Sequence, residues 1–321
     1  MPADFSSIIG HEAQKQYLRR ILDNQALAHG YCFSGPANLG KTTLARLLGA
    51  EILSVDVKEL DQHPDFRTVS QMVDEKTGKI PNTISVETIR SIRSWMTLTS
   101  ITGGRKVVII ENADLMTIAA QNALLKTLEE PSGEALMILI ASDAERLLPT
   151  IISRVVHLHF SRVPRETLCD YLDSQGQKKE MAHALAGVAA GRPGLAVRLL
   201  TETVREDHLR LNQEALQFIS NPLATRMKNV QDLTKEAQKD PEVLTRTIQV
   251  WHHLVHDALL SSLDCGRAFM SAEPSVAVED VGKTKSPHDW ARALNALSDA
   301  QNAINQNANP TIALEHFALA I

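Results

Sequence analysis

Two spacings of apolar residues divide this chain. Up to residue 160, short continuous apolar runs alternate with stretches of helical period. The continuous runs are Tyr31 to Phe33, Val107 to Ile110 and Leu136 to Ala141. Each is flanked by glycine, polar or acidic residues, which reads as a strand buried on both faces. Val155 to Phe160 alternates apolar and polar, and Arg67 to Val73 is a candidate short strand. Between them lie helical stretches. Residues 11–24 place Ala13, Tyr17, Leu18, Ile21 and Leu22 on one face. A helix opens at Thr43 and runs to about Ile52. Residues 85–100 carry the stripe Val86, Ile89, Ile92 and Met96, with Ser85 and Thr88 as an imperfect capping box. Residues 117–130 form another helix, ended by Pro131, and 149–154 a short helical piece. The polar stretch 54–66 reads as loop and 74–81 as a turn. Strands alternating with helices predict an α/β fold with a parallel sheet.

Beyond residue 160 the strand pattern stops. Residues 165–200 hold two or three short amphipathic helices with a break at Gly191-Arg192-Pro193-Gly194. Helices are then predicted over 204–219, 223–238, 241–264, 287–307 and 310–320, with a loop over 271–286. The expected domains are 1–160, an α/β domain; 161–203, a small helical domain; and 204–321, all helical.

Composition narrows the function. A content of 44% hydrophobic and 22% charged residues fits an ordinary globular protein of 321 residues. The net charge of −5 argues against a free-standing nucleic-acid binder, which carries a basic excess. Cys32, Cys169 and Cys265 are widely spaced and form no C-x-x-C, so neither a cysteine zinc site nor a disulfide framework is expected, and a reducing, cytoplasmic setting fits. No apolar signal core and no run of 18 apolar residues stands out, so no export and no membrane span are expected. His63 and Asp65 flank Pro64 and read as a turn, not a metal pair. His252, His253 and His256 read as a surface or interface cluster for want of a fitting third ligand.

Gly35, Pro36, Ala37, Asn38, Leu39, Gly40, Lys41 and Thr42, followed by Thr43, complete the pattern G-x-x-x-x-G-K-[ST] between a strand and a helix. Backbone N–H groups and the positive end of the helix dipole then face an anion. Lys41 reaches the β/γ-phosphates and the Thr42 hydroxyl binds Mg²⁺. A second acid is needed at the end of a neighbouring strand, and Glu111 stands there. Asn112 follows it, where hydrolytic members of this class carry a base; an amide is no base at neutral pH. Loss of a general base costs ~10²–10⁴ in rate. The residues suit nucleotide binding better than cleavage.

Ile8-Ile9-Gly10-His11, GPANLGKTTLA, HPDF, KVVIIENADLMT, AAQNALLKTLEEP, LLPTIISR and NANPTIALEHFALAI occur in this order. Together they resemble the AAA+ subunits of the bacterial DNA polymerase III clamp loader over nearly the whole chain. NALLKTLEEP at 122–131 and LLPTIISR at 147–154 are the most specific. The resemblance implies an AAA+ phosphate-loop domain, a helical lid and a C-terminal collar. It implies ATP or ADP with Mg²⁺, held statically: Ile8, Ile9 and Gly10 beside adenine, Gly35 to Thr43 on the phosphates, Glu111 as the strand-end acid and Ser142 as first sensor. Arg154 takes the arginine of the family's Ser-Arg-Cys motif, with Val155 in place of cysteine, and acts in trans on a neighbour's ATP. Many relatives carry a four-cysteine zinc module ending at HPDF; residues 52–62 hold no cysteine, so no zinc is expected. Gly194 falls where an active loader ATPase has its second sensor arginine. The implied partners are gamma/tau-type ATPases and delta in a hetero-pentamer, with the sliding clamp and primer–template DNA engaged through the complex. The alternative is a catalytically active gamma/tau-type motor.

Overall fold

The computed structural model describes residues 4–70, 83–129, 134–265, 276–305 and 308–321. The expected turn at 74–81, the end of the candidate strand at 73, and Pro131 lie outside these residues. The chain divides into two compact units. One holds residues 1–163 with 192–194; the other holds 164–191 and 195–321.

The first unit is built on five strands: β1 (Gly30–Ser34), β2 (Phe66–Val69), β3 (Lys106–Ile110), β4 (Ala135–Ala141) and β5 (Val156–His159). They form one parallel sheet in the order β2-β3-β4-β1-β5. The helices are α1 (Glu12–Asp23), α2 (Lys41–Leu53), α3 (Val86–Met96), α4 (Ile118–Glu129) and the short α5 (Pro149–Ile152). Every residue of β1, β3 and β4 is buried, which explains their unbroken apolar sequences. Successive side chains go to opposite faces of the sheet. Tyr31, Phe33, Val107, Ile109, Leu136 and Ile138 share one core with Leu18 and Ile21 of α1 and Leu44 and Leu48 of α2. Cys32, Val108, Ile110, Met137 and Leu139 share the other with Ile89, Ile92 and Trp95 of α3 and Leu124 of α4. Each fully buried side chain of this size contributes about 1.5–3 kcal/mol. The edge strand β5 alternates half-buried and exposed residues, as its sequence does.

The register brings the working ends level. Ser34 of β1 pairs with Ala141 of β4 and with His159 of β5. The segments leaving β1 and β4 therefore emerge side by side.

The predicted helix over 85–100 starts as expected, with Ser85 Oγ accepting the Thr88 N–H at 3.3 Å. It ends four residues early, at Met96. The loop that follows is held by Asp65, which is fully buried. Its carboxylate takes four hydrogen bonds from the following loop: Ser100 Oγ at 2.9 Å, Ile101 N–H at 3.0 Å, Thr102 N–H at 2.9 Å and Thr102 Oγ1 at 2.8 Å. These backbone donors are satisfied by a side chain more than 30 residues upstream, so the helix has no call on them. Trp95, at the helix end, lies under the Lys106 ammonium at 4.6 Å and the Arg67 guanidinium at 5.0 Å.

The second unit is helical: α6 (Arg165–Ser174), α7 (Lys179–Ala189), the end of α8 (Pro193–Arg198), α9 (Glu202–Ser220), α10 (Leu223–Ala237), α11 (Pro241–Ser262), α12 (Val276–Gly282), α13 (Pro287–Asn305) and α14 (Pro310–Ala320). Leu168 and Leu172 of α6 and Ala182 and Leu185 of α7 are buried. Phe218 stacks on Trp251 at 4.2 Å between ring centroids, and Trp251 meets Phe317 at 5.4 Å. Trp290, fully buried, donates its indole N–H to the Gly282 carbonyl at 2.9 Å. Two local expectations are corrected. Residues 276–282 lie inside the expected loop but form a helix, because Val278 is buried in the helical core and Val281 packs against it. The break at Gly191–Gly194 is shorter than expected: Pro193 begins α8, where its missing N–H costs nothing. Among the described residues no helix is long and apolar enough to cross a membrane, and no group of three or more His, Cys, Asp or Glu is placed to hold a metal.

Candidate functional site

The loop from Gly35 to Gly40 links β1 to α2. Gly35 has φ +132°, and a Cβ there would lie 2.0 Å from the Phe160 carbonyl oxygen, so only glycine fits. Gly40 has φ +88° and caps α2, turning the first free N–H groups of the helix into the loop. Asn38 also takes a left-handed conformation, with φ +64°.

The loop borders a cavity of about 280 Å³. Ala37, Asn38, Leu39, Gly40, Lys41, Thr42 and Thr43 line it, joined by Asn112 after β3, Ser142 after β4, and Gly194. Lys41 is buried, and its ammonium donates to the carbonyl oxygens of Gly35 and of Pro36, the latter at 2.6 Å. Burial pushes the Lys41 ammonium down to about 8, and the charge of Asp114 partly opposes this. Thr42 is half-buried at the start of α2. A helix N-terminus, a lysine and a hydroxyl around one cavity form a donor set for a phosphate chain with its Mg²⁺.

Asn112 has φ +51° and ψ +44° and its side chain is exposed. Asparagine tolerates this left-handed conformation better than glutamate does. Gly194 donates its N–H to the Asn38 carbonyl at 2.8 Å. A Cβ at 194 would lie 3.1 Å from that same oxygen, so any side chain here requires the phosphate loop to give way by a few tenths of an ångström. Arg192 is buried.

The other expected residues stand apart from the cavity lining. Ile8 is buried, with its Cδ1 3.8 Å from where a Gly40 Cβ would lie, and its carbonyl accepts from the Lys15 ammonium at 2.9 Å. Ile9 is half-buried, and Gly10, at φ +72°, abuts Val163. Glu111 follows β3 and is half-buried. Burial pushes its carboxyl up; Arg46 opposes this, and Asp61 adds to it. Arg46 and Asp61 are themselves joined by two hydrogen bonds of 2.9 and 2.7 Å. Arg154 lies just past α5, exposed. It pairs with Glu129 at 2.9 Å and donates to the Thr150 carbonyl at 3.1 Å. Two acids have roles that their place in the sequence did not assign. Asp65 is the D of HPDF, and Asp114 stands three residues past Glu111, its Oδ1 accepting the Ser142 N–H at 3.1 Å. Only the acidic end of an apolar strand hinted at the second.

Residues 10–164 match the family described as DNA polymerase III, delta subunit. A DNA polymerase III subunit delta' of Pseudomonas aeruginosa is 32% identical over 61% of this chain and 63% of its own length. The subunit tau of Bacillus subtilis is 27% identical over 95% of this chain and 58% of its own. The subunit delta' of Bacillus subtilis is 30% identical over 53% of this chain and 54% of its own.

 The chain is similar to DNA polymerase III delta' subunits. The alignments span less than two thirds of these relatives' own lengths. The delta-type match covers the sheet, the phosphate loop and Arg154.

Proposed function

We propose that this chain is a delta-prime-like, largely static subunit of a clamp loader, taking part in ATP-dependent loading of the sliding clamp onto primed DNA. It binds ATP or ADP with Mg²⁺ and turns it over slowly or not at all. One observation carries this reading: Asn112, not a carboxylate, occupies the cavity wall where a hydrolytic base is needed. Gly194 supports it, since the loop carbonyl at Asn38 crowds the place of a second sensor side chain.

Gly35 to Thr43 hold the phosphates, and Thr42, with an acid from the turn after β3, holds the metal. When bound, Mg²⁺ neutralises phosphate charge. Ser142 faces the same cavity as first sensor, and Ile8, Ile9 and Gly10 border the base. Arg154, exposed and outside this cavity, serves a neighbour's site. The implied partners are gamma/tau-type ATPases and delta in a hetero-pentamer, which engages the clamp and primer–template DNA. The C-terminal helices supply the collar and 161–203 the lid.

The complete phosphate loop favours a second reading, an active gamma/tau-type motor. Steady-state ATP hydrolysis by the purified chain, alone and with the other loader subunits, separates the two. The static reading expects tight nucleotide retention with negligible turnover by the chain alone; robust turnover overturns it. Asn112→Glu restores a carboxylate but places it in a left-handed conformation that costs roughly 1 kcal/mol. The expected result is a rise in turnover well short of the ~10²–10⁴ that a base supplies in a prepared site. A variant that reaches full motor rates shows the base to be the one missing part.

A further inference from the structure

The edge strand β5 lies beside β1, with Cys32 opposite His157 and Ser34 opposite His159. Alternate residues of a strand share a face, so His157 and His159 stand on the same side of the sheet. Ser34 Oγ lies 2.6 Å from His157 Nε2 and 3.2 Å from His159 Nδ1. Ring nitrogens of both histidines therefore converge on one oxygen. The ring centroids are 6.5 Å apart and the rings nearly perpendicular, at 80°. Ser34 is buried, while both histidines are exposed. The backbone under them is fixed: the Phe160 N–H donates to the Ser34 carbonyl at 2.7 Å, and Gln14 Nε2 to the His159 carbonyl at 2.6 Å. These three side chains stand outside the lining of the phosphate-loop cavity.

We infer that His157 and His159, with the Ser34 hydroxyl between them, form a binding site for a divalent transition-metal ion of the zinc and copper class. Imidazole nitrogen suits zinc, copper and nickel, whereas magnesium and calcium take oxygen ligands. Zinc sits about 2.0–2.1 Å from each histidine nitrogen, so its ligands must already point at one place. The shared contact with Ser34 shows that these two nitrogens do. Two histidines and a hydroxyl fall short of the closed four-ligand cage of a structural zinc. The site is therefore open, with its remaining positions left to water, and its ion exchanges with solvent. Both ligands stand on a paired strand, so little order is lost when the ion arrives. The inference is independent of the nucleotide reading, whose Mg²⁺ is held by oxygen at other residues.

The test uses the full chain free of nucleotide, titrated with Zn²⁺ alone by calorimetry and with Cu²⁺ alone for electron paramagnetic resonance. A single tightest site per chain is expected, its copper spectrum carrying nitrogen couplings from two imidazoles. His157→Gln and His159→Gln are each expected to weaken Zn²⁺ binding by roughly tenfold or more, because losing a group that only braces a ligand already costs about 10–100-fold. Each variant is expected to leave one imidazole coupling in the copper spectrum. Both side chains are exposed, so circular dichroism should be unchanged. Excess Mg²⁺ is expected to displace neither ion. Unchanged Zn²⁺ affinity in the double variant overturns the inference, since the ion then sits on other histidines. A wild-type copper spectrum with a single imidazole coupling overturns it without recourse to any variant, and so does displacement of Zn²⁺ by Mg²⁺.

Discussion

Replacing Arg154 by alanine in a reconstituted loader is expected to slow ATP hydrolysis at the neighbouring subunit by roughly 10³ or more, while the chain still folds and assembles. A cation placed on the transferring phosphate from an adjacent chain is worth 10³–10⁵ in rate. The geometry says why folding should survive. Arg154 is 38% exposed and its partner Glu129 is 48% exposed. An ion pair in that setting contributes about 0–1 kcal/mol. The pair with Glu129 is weak enough for a phosphate to compete with it, and it keeps the guanidinium beside α5, not loose in solvent. Single-turnover hydrolysis at the neighbouring site, with assembly followed by gel filtration, is the measurement. Full assembly with an unchanged rate removes Arg154 from this role. Glu129→Ala serves as a control: it should leave thermal stability nearly unchanged, because only the exposed pair is lost.

The parts of this molecule legible in the sequence are those whose physics is local. The run Val107 to Ile110 is apolar at every position because both faces of β3 are covered, so it announces its own burial. The phosphate loop is legible because Gly35 and Gly40 must adopt backbone conformations closed to other residues. Ser85 signs the start of α3 with its own side chain. What escaped depends on contacts between distant segments. The loop after α3 is tied to Asp65, and nothing in the helical period of 85–100 encodes that tie. The helix over 276–282 is short and sits among turn-forming residues; packing of Val278 and Val281 overrides that composition. Asp114 looks like the polar tail of a strand until the register of β3 and β4 places it against Ser142. The crowding of Gly194 against Asn38 likewise joins segments 156 residues apart in sequence.

Results

Sequence analysis

Two spacings of apolar residues divide this chain. Up to residue 160, short continuous apolar runs alternate with stretches of helical period. The continuous runs are Tyr31 to Phe33, Val107 to Ile110 and Leu136 to Ala141. Each is flanked by glycine, polar or acidic residues, which reads as a strand buried on both faces. Val155 to Phe160 alternates apolar and polar, and Arg67 to Val73 is a candidate short strand. Between them lie helical stretches. Residues 11–24 place Ala13, Tyr17, Leu18, Ile21 and Leu22 on one face. A helix opens at Thr43 and runs to about Ile52. Residues 85–100 carry the stripe Val86, Ile89, Ile92 and Met96, with Ser85 and Thr88 as an imperfect capping box. Residues 117–130 form another helix, ended by Pro131, and 149–154 a short helical piece. The polar stretch 54–66 reads as loop and 74–81 as a turn. Strands alternating with helices predict an α/β fold with a parallel sheet.

Beyond residue 160 the strand pattern stops. Residues 165–200 hold two or three short amphipathic helices with a break at Gly191-Arg192-Pro193-Gly194. Helices are then predicted over 204–219, 223–238, 241–264, 287–307 and 310–320, with a loop over 271–286. The expected domains are 1–160, an α/β domain; 161–203, a small helical domain; and 204–321, all helical.

Composition narrows the function. A content of 44% hydrophobic and 22% charged residues fits an ordinary globular protein of 321 residues. The net charge of −5 argues against a free-standing nucleic-acid binder, which carries a basic excess. Cys32, Cys169 and Cys265 are widely spaced and form no C-x-x-C. Neither a cysteine zinc site nor a disulfide framework is expected, and a reducing, cytoplasmic setting fits. There is no apolar signal core and no run of 18 apolar residues, so no export and no membrane span are expected. His63 and Asp65 flank Pro64 and read as a turn, not a metal pair. His252, His253 and His256 read as a surface or interface cluster for want of a fitting third ligand.

Gly35, Pro36, Ala37, Asn38, Leu39, Gly40, Lys41 and Thr42, followed by Thr43, complete the pattern G-x-x-x-x-G-K-[ST] between a strand and a helix. Backbone N–H groups and the positive end of the helix dipole then face an anion. Lys41 reaches the β/γ-phosphates and the Thr42 hydroxyl binds Mg²⁺. A second acid is needed at the end of a neighbouring strand, and Glu111 stands there. Asn112 follows it, where hydrolytic members of this class carry a base; an amide is no base at neutral pH. Loss of a general base costs ~10²–10⁴ in rate. The residues suit nucleotide binding better than cleavage.

Ile8-Ile9-Gly10-His11, GPANLGKTTLA, HPDF, KVVIIENADLMT, AAQNALLKTLEEP, LLPTIISR and NANPTIALEHFALAI occur in this order. Together they resemble the AAA+ subunits of the bacterial DNA polymerase III clamp loader over nearly the whole chain. NALLKTLEEP at 122–131 and LLPTIISR at 147–154 are the most specific. The resemblance implies an AAA+ phosphate-loop domain, a helical lid and a C-terminal collar. It implies ATP or ADP with Mg²⁺, held statically: Ile8, Ile9 and Gly10 beside adenine, Gly35 to Thr43 on the phosphates, Glu111 as the strand-end acid and Ser142 as first sensor. Arg154 takes the arginine of the family's Ser-Arg-Cys motif, with Val155 in place of cysteine, and acts in trans on a neighbour's ATP. Many relatives carry a four-cysteine zinc module ending at HPDF; residues 52–62 hold no cysteine, so no zinc is expected. Gly194 falls where an active loader ATPase has its second sensor arginine. The implied partners are gamma/tau-type ATPases and delta in a hetero-pentamer, with the sliding clamp and primer–template DNA engaged through the complex. The alternative is a catalytically active gamma/tau-type motor.

Overall fold

The computed structural model describes residues 4–70, 83–129, 134–265, 276–305 and 308–321. The expected turn at 74–81, the end of the candidate strand at Val73, and Pro131 lie outside these residues. The chain divides into two compact units. One holds residues 1–163 with 192–194; the other holds 164–191 and 195–321.

The first unit is built on five strands: β1 (Gly30–Ser34), β2 (Phe66–Val69), β3 (Lys106–Ile110), β4 (Ala135–Ala141) and β5 (Val156–His159). They form one parallel sheet in the order β2-β3-β4-β1-β5. The helices are α1 (Glu12–Asp23), α2 (Lys41–Leu53), α3 (Val86–Met96), α4 (Ile118–Glu129) and the short α5 (Pro149–Ile152). Every residue of β1, β3 and β4 is buried, which explains their unbroken apolar sequences. Successive side chains go to opposite faces of the sheet. Tyr31, Phe33, Val107, Ile109, Leu136 and Ile138 share one core with Leu18 and Ile21 of α1 and Leu44 and Leu48 of α2. Cys32, Val108, Ile110, Met137 and Leu139 share the other with Ile89, Ile92 and Trp95 of α3 and Leu124 of α4. Each fully buried aliphatic or phenyl side chain contributes about 1.5–3 kcal/mol. The edge strand β5 alternates half-buried and exposed residues, as its sequence does.

The register brings the working ends level. Ser34 of β1 pairs with Ala141 of β4 and with His159 of β5. The segments leaving β1 and β4 therefore emerge side by side.

The predicted helix over 85–100 starts as expected, with Ser85 Oγ accepting the Thr88 N–H at 3.3 Å. It ends early, at Met96. The loop that follows is held by Asp65, which is fully buried. Its carboxylate takes hydrogen bonds from the following loop: Ser100 Oγ at 2.9 Å, Ile101 N–H at 3.0 Å, Thr102 N–H at 2.9 Å and Thr102 Oγ1 at 2.8 Å. These backbone donors are satisfied by a distant side chain and need no helical partner. Trp95, at the helix end, lies 4.6 Å from the Lys106 ammonium and 5.0 Å from the Arg67 guanidinium.

The second unit is helical: α6 (Arg165–Ser174), α7 (Lys179–Ala189), the end of α8 (Pro193–Arg198), α9 (Glu202–Ser220), α10 (Leu223–Ala237), α11 (Pro241–Ser262), α12 (Val276–Gly282), α13 (Pro287–Asn305) and α14 (Pro310–Ala320). Leu168 and Leu172 of α6 and Ala182 and Leu185 of α7 are buried. Phe218 stacks on Trp251 at 4.2 Å between ring centroids, and Trp251 meets Phe317 at 5.4 Å. Trp290, fully buried, donates its indole N–H to the Gly282 carbonyl at 2.9 Å. Two local expectations are corrected. Residues 276–282 lie inside the expected loop but form a helix, because Val278 is buried in the helical core and Val281 packs against it. The break at Gly191–Gly194 is shorter than expected: Pro193 begins α8, where its missing N–H costs nothing. Among the described residues no helix is long and apolar enough to cross a membrane, and no group of three or more His, Cys, Asp or Glu is placed to hold a metal.

Candidate functional site

The loop from Gly35 to Gly40 links β1 to α2. Gly35 has φ +132°, and a Cβ there would lie 2.0 Å from the Phe160 carbonyl oxygen, so only glycine fits. Gly40 has φ +88° and caps α2, turning the first free N–H groups of the helix into the loop. Asn38 also takes a left-handed conformation, with φ +64°.

The loop borders a cavity of about 280 Å³. Residues 37–43 line it, joined by Asn112 after β3, Ser142 after β4, and Gly194. Lys41 is buried, and its ammonium donates to the carbonyl oxygens of Gly35 and of Pro36, the latter at 2.6 Å. Burial pushes the Lys41 ammonium down to about 8, and the charge of Asp114 partly opposes this. Thr42 is half-buried at the start of α2. A helix N-terminus, a lysine and a hydroxyl around one cavity form a donor set that fits a phosphate chain with its Mg²⁺.

Asn112 has φ +51° and ψ +44° and is exposed. Asparagine tolerates this left-handed conformation better than glutamate does. Gly194 donates its N–H to the Asn38 carbonyl at 2.8 Å. A Cβ at 194 would lie 3.1 Å from that same oxygen, so a side chain here requires the phosphate loop to shift slightly. Arg192 is buried.

The other expected residues stand apart from the cavity lining. Ile8 is buried, with its Cδ1 3.8 Å from where a Gly40 Cβ would lie, and its carbonyl accepts from the Lys15 ammonium at 2.9 Å. Ile9 is half-buried, and Gly10, at φ +72°, abuts Val163. Glu111 follows β3 and is half-buried. Burial pushes its carboxyl up; Arg46 opposes this, and Asp61 adds to it. Arg46 and Asp61 are themselves joined by hydrogen bonds of 2.9 and 2.7 Å. Arg154 lies just past α5, exposed. It pairs with Glu129 at 2.9 Å and donates to the Thr150 carbonyl at 3.1 Å. Two acids have roles that their place in the sequence did not assign. Asp65 is the D of HPDF, and Asp114 stands shortly after Glu111, its Oδ1 accepting the Ser142 N–H at 3.1 Å. Only the acidic end of an apolar strand hinted at the second.

Residues 10–164 match the family described as DNA polymerase III, delta subunit. A DNA polymerase III subunit delta' of Pseudomonas aeruginosa is 32% identical over 61% of this chain and 63% of its own length. The subunit tau of Bacillus subtilis is 27% identical over 95% of this chain and 58% of its own. The subunit delta' of Bacillus subtilis is 30% identical over 53% of this chain and 54% of its own. The chain is similar to DNA polymerase III delta' subunits. The alignments span less than two thirds of these relatives' own lengths. The delta-type match covers the sheet, the phosphate loop and Arg154.

Proposed function

We propose that this chain is a delta-prime-like, largely static subunit of a clamp loader, taking part in ATP-dependent loading of the sliding clamp onto primed DNA. It binds ATP or ADP with Mg²⁺ and turns it over slowly or not at all. One observation carries this reading: Asn112, not a carboxylate, occupies the cavity wall where a hydrolytic base is needed. Gly194 supports it, since the loop carbonyl at Asn38 crowds the place of a second sensor side chain.

Gly35 to Thr43 hold the phosphates, and Thr42, with an acid after β3, holds the metal. When bound, Mg²⁺ neutralises phosphate charge. Ser142 faces the same cavity as first sensor, and Ile8, Ile9 and Gly10 border the base. Arg154, exposed and outside this cavity, serves a neighbour's site. The implied partners are gamma/tau-type ATPases and delta in a hetero-pentamer, which engages the clamp and primer–template DNA. The C-terminal helices supply the collar and 161–203 the lid.

The complete phosphate loop favours a second reading, an active gamma/tau-type motor. Steady-state ATP hydrolysis by the purified chain, alone and with the other loader subunits, separates the two. The static reading expects nucleotide retention with negligible turnover by the chain alone; robust turnover overturns it. Asn112→Glu restores a carboxylate but places it in a left-handed conformation that costs roughly 1 kcal/mol. The expected result is a rise in turnover well short of the ~10²–10⁴ that a base supplies in a prepared site. A variant that reaches full motor rates shows the base to be the one missing part.

A further inference from the structure

The edge strand β5 lies beside β1, with Cys32 opposite His157 and Ser34 opposite His159. Alternate residues of a strand share a face, so His157 and His159 stand on the same side of the sheet. Ser34 Oγ lies 2.6 Å from His157 Nε2 and 3.2 Å from His159 Nδ1. Ring nitrogens of both histidines therefore converge on one oxygen. The ring centroids are 6.5 Å apart and the rings nearly perpendicular, at 80°. Ser34 is buried, while both histidines are exposed. The backbone under them is fixed: the Phe160 N–H donates to the Ser34 carbonyl at 2.7 Å, and Gln14 Nε2 to the His159 carbonyl at 2.6 Å. These three side chains stand outside the lining of the phosphate-loop cavity.

We infer that His157 and His159, with the Ser34 hydroxyl between them, form a binding site for a divalent transition-metal ion of the zinc and copper class. Imidazole nitrogen suits zinc, copper and nickel, whereas magnesium and calcium take oxygen ligands. Zinc sits about 2.0–2.1 Å from each histidine nitrogen, so its ligands must already point at one place. The shared contact with Ser34 shows that these two nitrogens do. Two histidines and a hydroxyl fall short of the closed four-ligand cage of a structural zinc. The site is therefore open, with its remaining positions left to water, and its ion exchanges with solvent. Both ligands stand on a paired strand, so little order is lost when the ion arrives. The inference is independent of the nucleotide reading, whose Mg²⁺ is held by oxygen at other residues.

The test uses the full chain free of nucleotide, titrated with Zn²⁺ alone by calorimetry and with Cu²⁺ alone for electron paramagnetic resonance. A single tightest site per chain is expected, its copper spectrum carrying nitrogen couplings from two imidazoles. His157→Gln and His159→Gln are each expected to weaken Zn²⁺ binding by roughly tenfold or more, because losing a group that only braces a ligand already costs about 10–100-fold. Each variant is expected to leave one imidazole coupling in the copper spectrum. Both side chains are exposed, so circular dichroism should be unchanged. Excess Mg²⁺ is expected to displace neither ion. Unchanged Zn²⁺ affinity in the double variant overturns the inference, since the ion then sits on other histidines. A wild-type copper spectrum with a single imidazole coupling overturns it without recourse to any variant, and so does displacement of Zn²⁺ by Mg²⁺.

Discussion

Replacing Arg154 by alanine in a reconstituted loader is expected to slow ATP hydrolysis at the neighbouring subunit by roughly 10³ or more, while the chain still folds and assembles. A cation placed on the transferring phosphate from an adjacent chain is worth about 10³–10⁵ in rate. The geometry says why folding should survive. The Arg154 side chain is 38% exposed and that of its partner Glu129 is 48% exposed. An ion pair in that setting contributes about 0–1 kcal/mol. The pair is weak enough for a phosphate to compete with it, yet it keeps the guanidinium beside α5 in the free chain. Single-turnover hydrolysis at the neighbouring site, with assembly followed by gel filtration, is the measurement. Full assembly with an unchanged rate removes Arg154 from this role. Glu129→Ala serves as a control: it should leave thermal stability nearly unchanged, because only the exposed pair is lost.

The parts of this molecule legible in the sequence are those whose physics is local. The run Val107 to Ile110 is apolar at every position because both faces of β3 are covered, so it announces its own burial. The phosphate loop is legible because Gly35 and Gly40 adopt backbone conformations that other residues rarely reach. Ser85 signs the start of α3 with its own side chain. What escaped depends on contacts between distant segments. The loop after α3 is tied to Asp65, and nothing in the helical period of 85–100 encodes that tie. The helix over 276–282 is short and sits among turn-forming residues; packing of Val278 and Val281 overrides that composition. Asp114 looks like the polar tail of a strand until the register of β3 and β4 places it against Ser142. The crowding of Gly194 against Asn38 likewise joins segments far apart in sequence.

Asp65→Ala is expected to lower unfolding stability by about 3 kcal/mol, the second large effect. Burial opposes ionisation of this carboxyl, but the N–H groups of Ile101 and Thr102 and the hydroxyls of Thr102 and Ser100 outweigh it and hold the group well below the usual carboxylate range. Hydrogen bonds to a charged acceptor contribute roughly 1.5–3 kcal/mol each, and truncation strands several donors at once; water reaching the freed loop offsets part of the loss. The shift also fixes a pH dependence. A carboxyl depressed in the folded state contributes its stability above its unfolded value of about 3.9, and that contribution drains away as pH falls below it. Wild-type protein should therefore lose stability from about pH 4 downward more steeply than the variant does, and the two denaturation midpoints should converge in acid. Urea unfolding at neutral and acid pH tests both points. Asp65→Asn, which keeps an acceptor but not the charge, should fall between them. A loss that is the same at every pH would mean that the cavity left by the side chain, not the charge on it, holds the loop after α3.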